Sequence, residues 1–390
     1  MAETISIIGA GHTKFGRLES TLEQMIVQVT REAIEDSGLA PEDIDAVFLG
    51  HFNSGLVPDA FASSLIHQAY PQLRFKPATR TENACASGSA AIHAGINAIR
   101  AGAARTVLVV GAEKMTHRTT EDVTSALAGA GYQNDDTERG LSFPQVFGVA
   151  AREYTDRYGS PLDAMAHISV KNHQNAMRNP LAHMHREVSF EDASQVSNKN
   201  PAIAPPLRLT DCSLVTDGAA AVVLTTEENA ANAPRAVRFR AAVHVSDRLP
   251  MSGRDFLAFE GPELAFRRAY EGAGITLADV DFAEVHDCFT IAELLTYEAM
   301  GLTPRGEGAR ALADGVVYRD GSLPVNLSGG LKAKGHPVGA TGVSMHAIAF
   351  RQLTGQAGEM QKPDANLGLV FNMGGSAVAN YVSVLETQKI

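Results

Sequence analysis

Residues Glu82–Ala91 read ENACASGSAA, a single cysteine among small residues where an extended segment gives way to a helix. Free cysteine often serves as a small apolar filler in a core. Here Ala84, Ala86, Ser87, Gly88, Ser89 and Ala90 offer little bulk to bury it against. The following AAIHAGINAIRAG carries apolar residues at helical spacing, so Cys85 falls at the first turn of a helix. A thiol there faces unpaired backbone N–H groups and the positive end of the helix dipole, which are expected to lower its pKa and favour the thiolate. That setting suits a nucleophile better than a packing residue.

Outward from this junction, short apolar runs alternate with amphipathic segments: ISIIGAG, TLEQMIVQVTREAIEDSG, AVFLG and TVLVVGAE. This is the pattern of an α/β sheet with crossover helices. It returns later as ELAFRRAYEGAG, FAEVHD, TIAELLTYEAMG, VNLSGG, ATGVSMHAIAFRQLTG and LGLVFNMGG. GLAPEDIDAVFLG from Gly38 and GITLADVDFAEVH from Gly274 share Gly, an apolar residue, Asp, a β-branched residue and Asp in register, which argues for duplication. Residues 1–116 and 208–235 are expected to form one half and residues 236–390 the other. Between them, 117–207 is polar and rich in Asn, Met and His, and reads as an inserted domain of loops or short helices.

Lys and Arg number 33 against 44 Asp and Glu, a net charge of -11 over 390 residues, which argues against non-specific nucleic-acid binding. The apolar fraction of 45% supports a large core. Cys85, Cys212 and Cys288 make neither a disulfide framework nor a CxxC pair, so a reducing, cytoplasmic setting is expected. The start MAETISIIGAG has no basic region before a long apolar stretch, and no run of about eighteen apolar residues occurs, so export and membrane spanning are not expected. The tail ETQKI is not a peroxisomal signal.

Three more stretches carry chemistry. GGLKAKGHPVGATG (Gly329–Gly342) sets His336 at a second strand-to-helix junction, the counterpart of the one bearing Cys85. Pro337 fixes the backbone after it, and the surrounding glycines are expected to leave the imidazole open to a ligand. An imidazole near neutrality can take a thiol's proton. VHDCFT (Val285–Thr290) supplies His286, Asp287 and Cys288 at the end of a strand. A metal reading lacks a companion pair at ligand spacing, which leaves an acid/base cysteine or a buried structural one. In FNMGGSAVANY (Phe371–Tyr381), Gly374 and Gly375 between two strands are placed to present backbone N–H groups to an oxyanion. SIIGAGHTKFG begins like a dinucleotide-binding turn, but Lys14 replaces its third glycine, so no nicotinamide cofactor is expected.

With NACASG, HDCF, GHPVGATG and the terminal glycine turn in this order, the chain resembles the thiolase superfamily over nearly its whole length. HDCF, in place of the Asn-Glu-Ala-Phe of most thiolases, is similar to the sterol-carrier-protein type and to bacterial and archaeal acetyl-CoA acetyltransferases. The resemblance implies the α/β thiolase fold: two similar five-layered α/β halves, a duplicated mixed sheet with crossover helices, and an inserted loop domain. It also implies a thiolase that makes or thiolytically cleaves 3-oxoacyl-CoA by Claisen chemistry through an acyl-Cys85 intermediate, with His336 as base.

Asn372 stands where the family has the first residue of a Cys-x-Gly turn, so the acid/base role passes by resemblance to Cys288. His286 joins His336 at the enolate oxygen, and the amides of Cys85 and Gly374 are implied to hold the thioester oxyanion. Gly375, Asn372, Gly339 and Ser328 complete the implied substrate-binding set, while Cys212 matches no catalytic motif. Acyl-CoA and coenzyme A are the implied substrates, with no permanently bound cofactor or metal, and the assembly is a homodimer or homotetramer. Two alternatives stand beside this reading. One is an acyltransferase or retro-aldolase on the same fold, served by a small OB-fold partner subunit; the other is a non-catalytic CoA-binding scaffold. The intact GHP argues against the aldolase, and the presence of both Cys85 and His336 argues against the scaffold.

Overall fold

The computed structural model describes residues 3–388; Met1, Ala2, Lys389 and Ile390, the ends of the two terminal stretches quoted above, lie outside the described residues. The first half runs β1 (Ile5–His12), α1 (Leu22–Ser37), β2 (Ala46–Gly50), β3 (Ala78–Thr81), α2 (Ser87–Arg100) and β4 (Thr106–Glu113). An inserted region holds α3 (Thr120–Ala128), α4 (Phe143–Tyr158), α5 (Leu162–Ala176), α6 (Phe190–Ser194) and the hairpin β5 (Ala202–Ala204) with β6 (Leu207–Arg208). After it, β7 (Gly218–Thr226) and α7 (Glu227–Ala230) return to the first half. The second half comprises β8 (Ala236–Ser246), α8 (Glu260–Ala273), β9 (Phe282–Glu284), α9 (Thr290–Ala299), α10 (Ala309–Ala313), α11 (Thr341–Leu353), β10 (Leu367–Gly374) and β11 (Ala379–Gln388).

The apolar runs of β1, β4, β7 and β10 are buried along their whole length, as expected of strands covered on both faces. All strands except β5 and β6 join one mixed sheet in the order β3-β2-β4-β7-β1-β8-β11-β10-β9. Each half repeats one pattern. In the first, β2 lies parallel to β3 and β4, and β7 and β1 follow antiparallel. In the second, β9 lies parallel to β10, and β11 and β8 follow antiparallel; a parallel bridge from Ala283 to Val325 takes the edge position. The halves meet where β1 pairs with β8, Ser6 opposite Arg238 and Ile7 opposite Val237.

The repeated stretch marks equivalent places in this duplication. Gly38 and Gly274 each end a helix in left-handed backbone, at φ 73° and 64°, a conformation that glycine adopts without steric cost. A 3₁₀ turn and a strand, β2 or β9, follow each. Helix α1 covers the outer face of the first half and α8 that of the second, while α2 and α11 lie between the two sets of strands and against each other. Two glycines permit that middle contact. A Cβ on Gly88 would stand 2.8 Å from the Val343 amide, and one on Gly342 would stand 2.3 Å from the Ser89 amide. The N-termini of α2 and α11, with the residues just before them, are thereby brought together.

The inserted region is more regular than its composition implied, because α4 and α5 are helices of 16 and 15 residues. Polar residues that suggest loops are instead turned inward on α5, where Lys171, Asn172, His173 and Asn175 are buried against the second half.

Candidate active site

Ser87 shapes the turn beneath Cys85. Its Oγ accepts from the Asn83 amide at 3.0 Å and donates to the Ala84 carbonyl at 2.7 Å, with Ala84 between them in left-handed backbone at φ 49°. Cys85 therefore precedes α2 by two residues, partly exposed, with its own backbone N–H and that of Gly375 directed at the sulfur. A cavity of about 450 Å³, lined in part by Phe52, Asn83, Ala84, Leu249, Gly374 and Gly375, opens beside it.

One expectation changes here. Burial pushes the Cys85 thiol up to about 12, outweighing the two amides, and the charges of Glu113 and Glu82 act in the same direction. Desolvation disfavours the charged form more than the helix end favours it, so the resting group is a neutral thiol. The amide at the sulfur, moreover, belongs to Gly375. Gly374 lines the same cavity, and a Cβ added there would stand 2.2 Å from the Asn83 carbonyl oxygen.

His336 precedes α11 as Cys85 precedes α2. Its Nδ1 lies 2.7 Å from Thr341 Oγ1, and that hydroxyl donates its own proton to the Pro337 carbonyl at 3.0 Å. The hydroxyl oxygen must then accept, so Nδ1 carries the imidazole proton and Nε2 keeps a lone pair. Nε2 is buried and has no hydrogen-bond partner among the described residues. Burial, and after it the Lys334 charge, lowers His336 to about 3, so the ring is neutral. The stretch Gly329–Gly342 is buried throughout rather than open. Its glycines serve close backbone packing, and the Gly339 amide is spent on Glu113 at 3.0 Å instead of facing a ligand.

HDCF brings the remaining groups. One side-chain atom each from Cys85, His286 and His336 lies within 4.8 Å of the others, and the two imidazoles stand perpendicular, centroids 5.2 Å apart at 88°. A cysteine and two histidines would also suit a thiophilic cation. Desolvation, then the charge of His336, holds His286 well below the usual imidazole pKa. Its Nδ1 lies 2.9 Å from Asn372 Nδ2, which also reaches the Cys85 carbonyl at 3.2 Å. Cys288 is buried nearby, its thiol raised well above the usual value by desolvation and then by the Cys85 charge.

Asp287 turns away from this cluster and accepts from the amides of Leu331 and Lys332 at 2.6 and 3.1 Å and from Asn172 at 2.7 Å. It ties HDCF to the loop that carries His336. Burial, and then Glu293, raises its carboxyl to about 7. Ser328 also departs from the implied substrate set, because its amide and hydroxyl both donate to the buried carboxylate of Glu284. Cys212 is buried elsewhere, with Sγ 3.5 Å from the Arg208 carbonyl.

Three residues that the sequence did not single out complete the site. Glu113 accepts from the amides of Phe52, Asn53 and Gly339 and pairs with His51 at 3.1 Å, pinning the loops under Cys85 and His336 to each other. Desolvation opposes its ionisation, but the His51 charge and these amides hold its carboxyl below the usual range. A charged residue ending the apolar run TVLVVGAE was its only signal. Thr341 lay within a quoted motif, and Ser89, whose Oγ donates to Asn372 Oδ1 at 2.8 Å, lay in the opening stretch.

Comparison with known proteins finds family matches over both halves of the chain. The "Thiolase, N-terminal domain" family matches residues 5–228, and the "Thiolase C-terminal domain-like" family matches residues 243–387. The chain is 39% identical to an acetyl-CoA acetyltransferase of Methanothermobacter thermautotrophicus, covering 95% of this chain and 96% of the relative. It is 32% identical to human sterol carrier protein 2, covering 96% of this chain and 70% of that protein. Among solved structures, an "Ltp2-ChsH2(DUF35) aldolase" shares the fold with a TM-score of 0.82 at 23% identity, covering 98% of both chains.

Proposed function

The chain belongs to the thiolase family and is an acyltransferase of that family, and on this footing we propose that acetyl-CoA is its acyl donor and Cys85 its nucleophile. The observation that carries this reading is the convergence of Cys85, His286 and His336 within 4.8 Å. In the first half-reaction, His336 Nε2 takes the Cys85 proton as the sulfur attacks the thioester carbon, since neither group is ionised at rest. The amides of Cys85 and Gly375 receive the developing oxyanion, a contribution of about 3 kcal/mol per donor in comparable sites. Collapse expels coenzyme A as the thiolate, which takes the proton back from His336.

For condensation, Cys288 gives its proton to His336, and its thiolate then removes an α-proton from a second acyl-CoA. The enolate oxygen lies between imidazolium His336 and His286, and the carbanion attacks acyl-Cys85. Cys85 leaves as a thiolate and is protonated by His336, so every proton is returned. Thiolysis of a 3-oxoacyl-CoA runs the same path backwards.

A homodimer belongs to this proposal. β3 is an edge strand with Thr79 and Arg80 exposed, and near it Phe75 and Phe61 are 86% and 74% exposed, a combination that supports pairing with a second copy. No helix among the described residues is long and apolar enough to cross a membrane, and the three cysteines are free, which supports a reducing cytoplasmic setting.

The test is the intact mass of the chain alone after mixing with acetoacetyl-CoA. An acetyl increment that is absent from a Cys85→Ala variant is expected. No increment with acetoacetyl-CoA or with a panel of longer 3-oxoacyl-CoA thioesters would overturn the proposal. An increment that needs an added small subunit would favour the alternative of an acyltransferase served by a partner subunit.

A further inference from the structure

We infer that Asn372 is a positioning residue that fixes His286 in its Nε2–H tautomer, so that this imidazole meets the enolate oxygen as a donor. The argument begins with the orientation of the carboxamide. The Cys85 carbonyl can only accept a hydrogen bond, so the end of Asn372 that lies 3.2 Å from it must be the NH2 group. At the other end, the Ser89 hydroxyl donates to Oδ1 at 2.8 Å. The carbonyl demands this orientation, and the Ser89 hydroxyl, able to donate, fits it.

The consequence falls on His286. The NH2 group held in this way lies 2.9 Å from Nδ1, which must therefore offer a lone pair. An imidazole whose Nδ1 accepts carries its ring proton on Nε2, and the burial that keeps His286 well below the usual imidazole pKa accords with a neutral ring. No hydrogen bond among the described residues reaches that nitrogen. The perpendicular neighbour carries the opposite tautomer, since Thr341 leaves His336 with a proton on Nδ1 and a lone pair on Nε2. Two neutral histidines of the same type are thus differentiated into one donor and one base by an asparagine and a threonine. Asn372, Ser89 and His286 are all buried and come from β10, α2 and the loop after β9, so the arrangement is built from three separate elements.

The use of this N–H in catalysis rests on the thiolase reading, but the position of the proton does not. The experiment reads the proton first. Protein labelled with ¹⁵N at histidine and free of substrate is examined by long-range ¹H–¹⁵N correlation, with the His286 ring assigned by its loss in His286→Gln. His286 protonated at Nε2 is the expected result. Asn372→Asp, whose carboxylate accepts from Nδ1–H, moves the proton to Nδ1. The same variant lowers kcat by roughly 10²-fold, as removal of one oxyanion donor does, with KM for acetyl-CoA little changed. If Asn372→Asp does not fold, Asn372→Ala carries the test, and a mixture of both tautomers is expected. A wild-type proton on Nδ1, or a pure Nε2–H form retained in the folded variants, would overturn the inference. A proton that moves while kcat holds would overturn only the catalytic use of the N–H.

Discussion

The Thr341 hydroxyl oxygen lies 2.7 Å from Nδ1 of His336 and commits its own proton to the Pro337 carbonyl. One side chain thereby decides which nitrogen of the ring keeps a lone pair. Thr341→Val keeps the shape and removes the acceptor. It is expected to lower kcat by about tenfold to a hundredfold, part of the roughly 10²–10⁴ that a positioned base supplies, with KM little changed. Thr341→Ser should retain most of the activity. Steady-state kinetics of the pair decide the matter, and a Val variant as active as wild type would refute the tautomer assignment.

In the proposed reaction Cys288 and Cys85 carry different steps. Cys288→Ala is expected to accept an acetyl group from acetyl-CoA on Cys85, seen by intact mass, yet to fail to exchange the methyl protons of acetyl-CoA in D2O. Exchange at the wild-type rate would remove Cys288 from its acid/base role.

Alkylation of Cys85 reports the ionisation of the resting site. Burial raises this thiol to about 12, so near neutral pH it is overwhelmingly protonated. The rate of modification by iodoacetamide, followed by peptide mapping of Cys85, should rise about tenfold per pH unit through neutrality into the alkaline range. A plateau already reached near neutral pH would show a preformed thiolate–imidazolium pair instead.

Glu113 and His51 form a buried pair whose stabilising effect has two pH limits. The folded carboxyl lies below its usual 4.5, so its contribution is present above that pH and is lost as pH falls through the lowered value. The folded imidazole lies above its usual 6.5, so its contribution is complete below that pH and is lost as pH rises through the raised value. The stability difference between wild type and Glu113→Ala should therefore be greatest between 4.5 and 6.5 and shrink on both sides. Breaking a buried pair typically costs about 3–5 kcal/mol, and urea unfolding across this pH range measures it. A difference that is flat in pH would show that packing, not the ion pair, carries the effect.

Much of the site was legible because its signals are local. Cys85 and His336 each sit among small residues just before a helix, and the echo at Gly38 and Gly274 marks the duplication that makes the two junctions equivalent. Composition misled where polar residues turn inward. Asn172 and Lys171 read as parts of an irregular insertion, yet they are helical and bonded to Asp287 and Glu293 in the second half. The glycines near His336 read as openness and proved to be sites of close packing.

The order of residues along the chain was sufficient to single out Cys85 and His336 as the proposed nucleophile and base, since a strand-to-helix turn and a repeated pattern are written in neighbouring positions. Which groups hold protons was settled only by the fold. Asn372 meets the Cys85 carbonyl across 287 positions, and Glu113 meets the Gly339 amide across 226. Desolvation and hydrogen bonding act through distance in space, and together they overrule the pKa that the helix end alone would give Cys85.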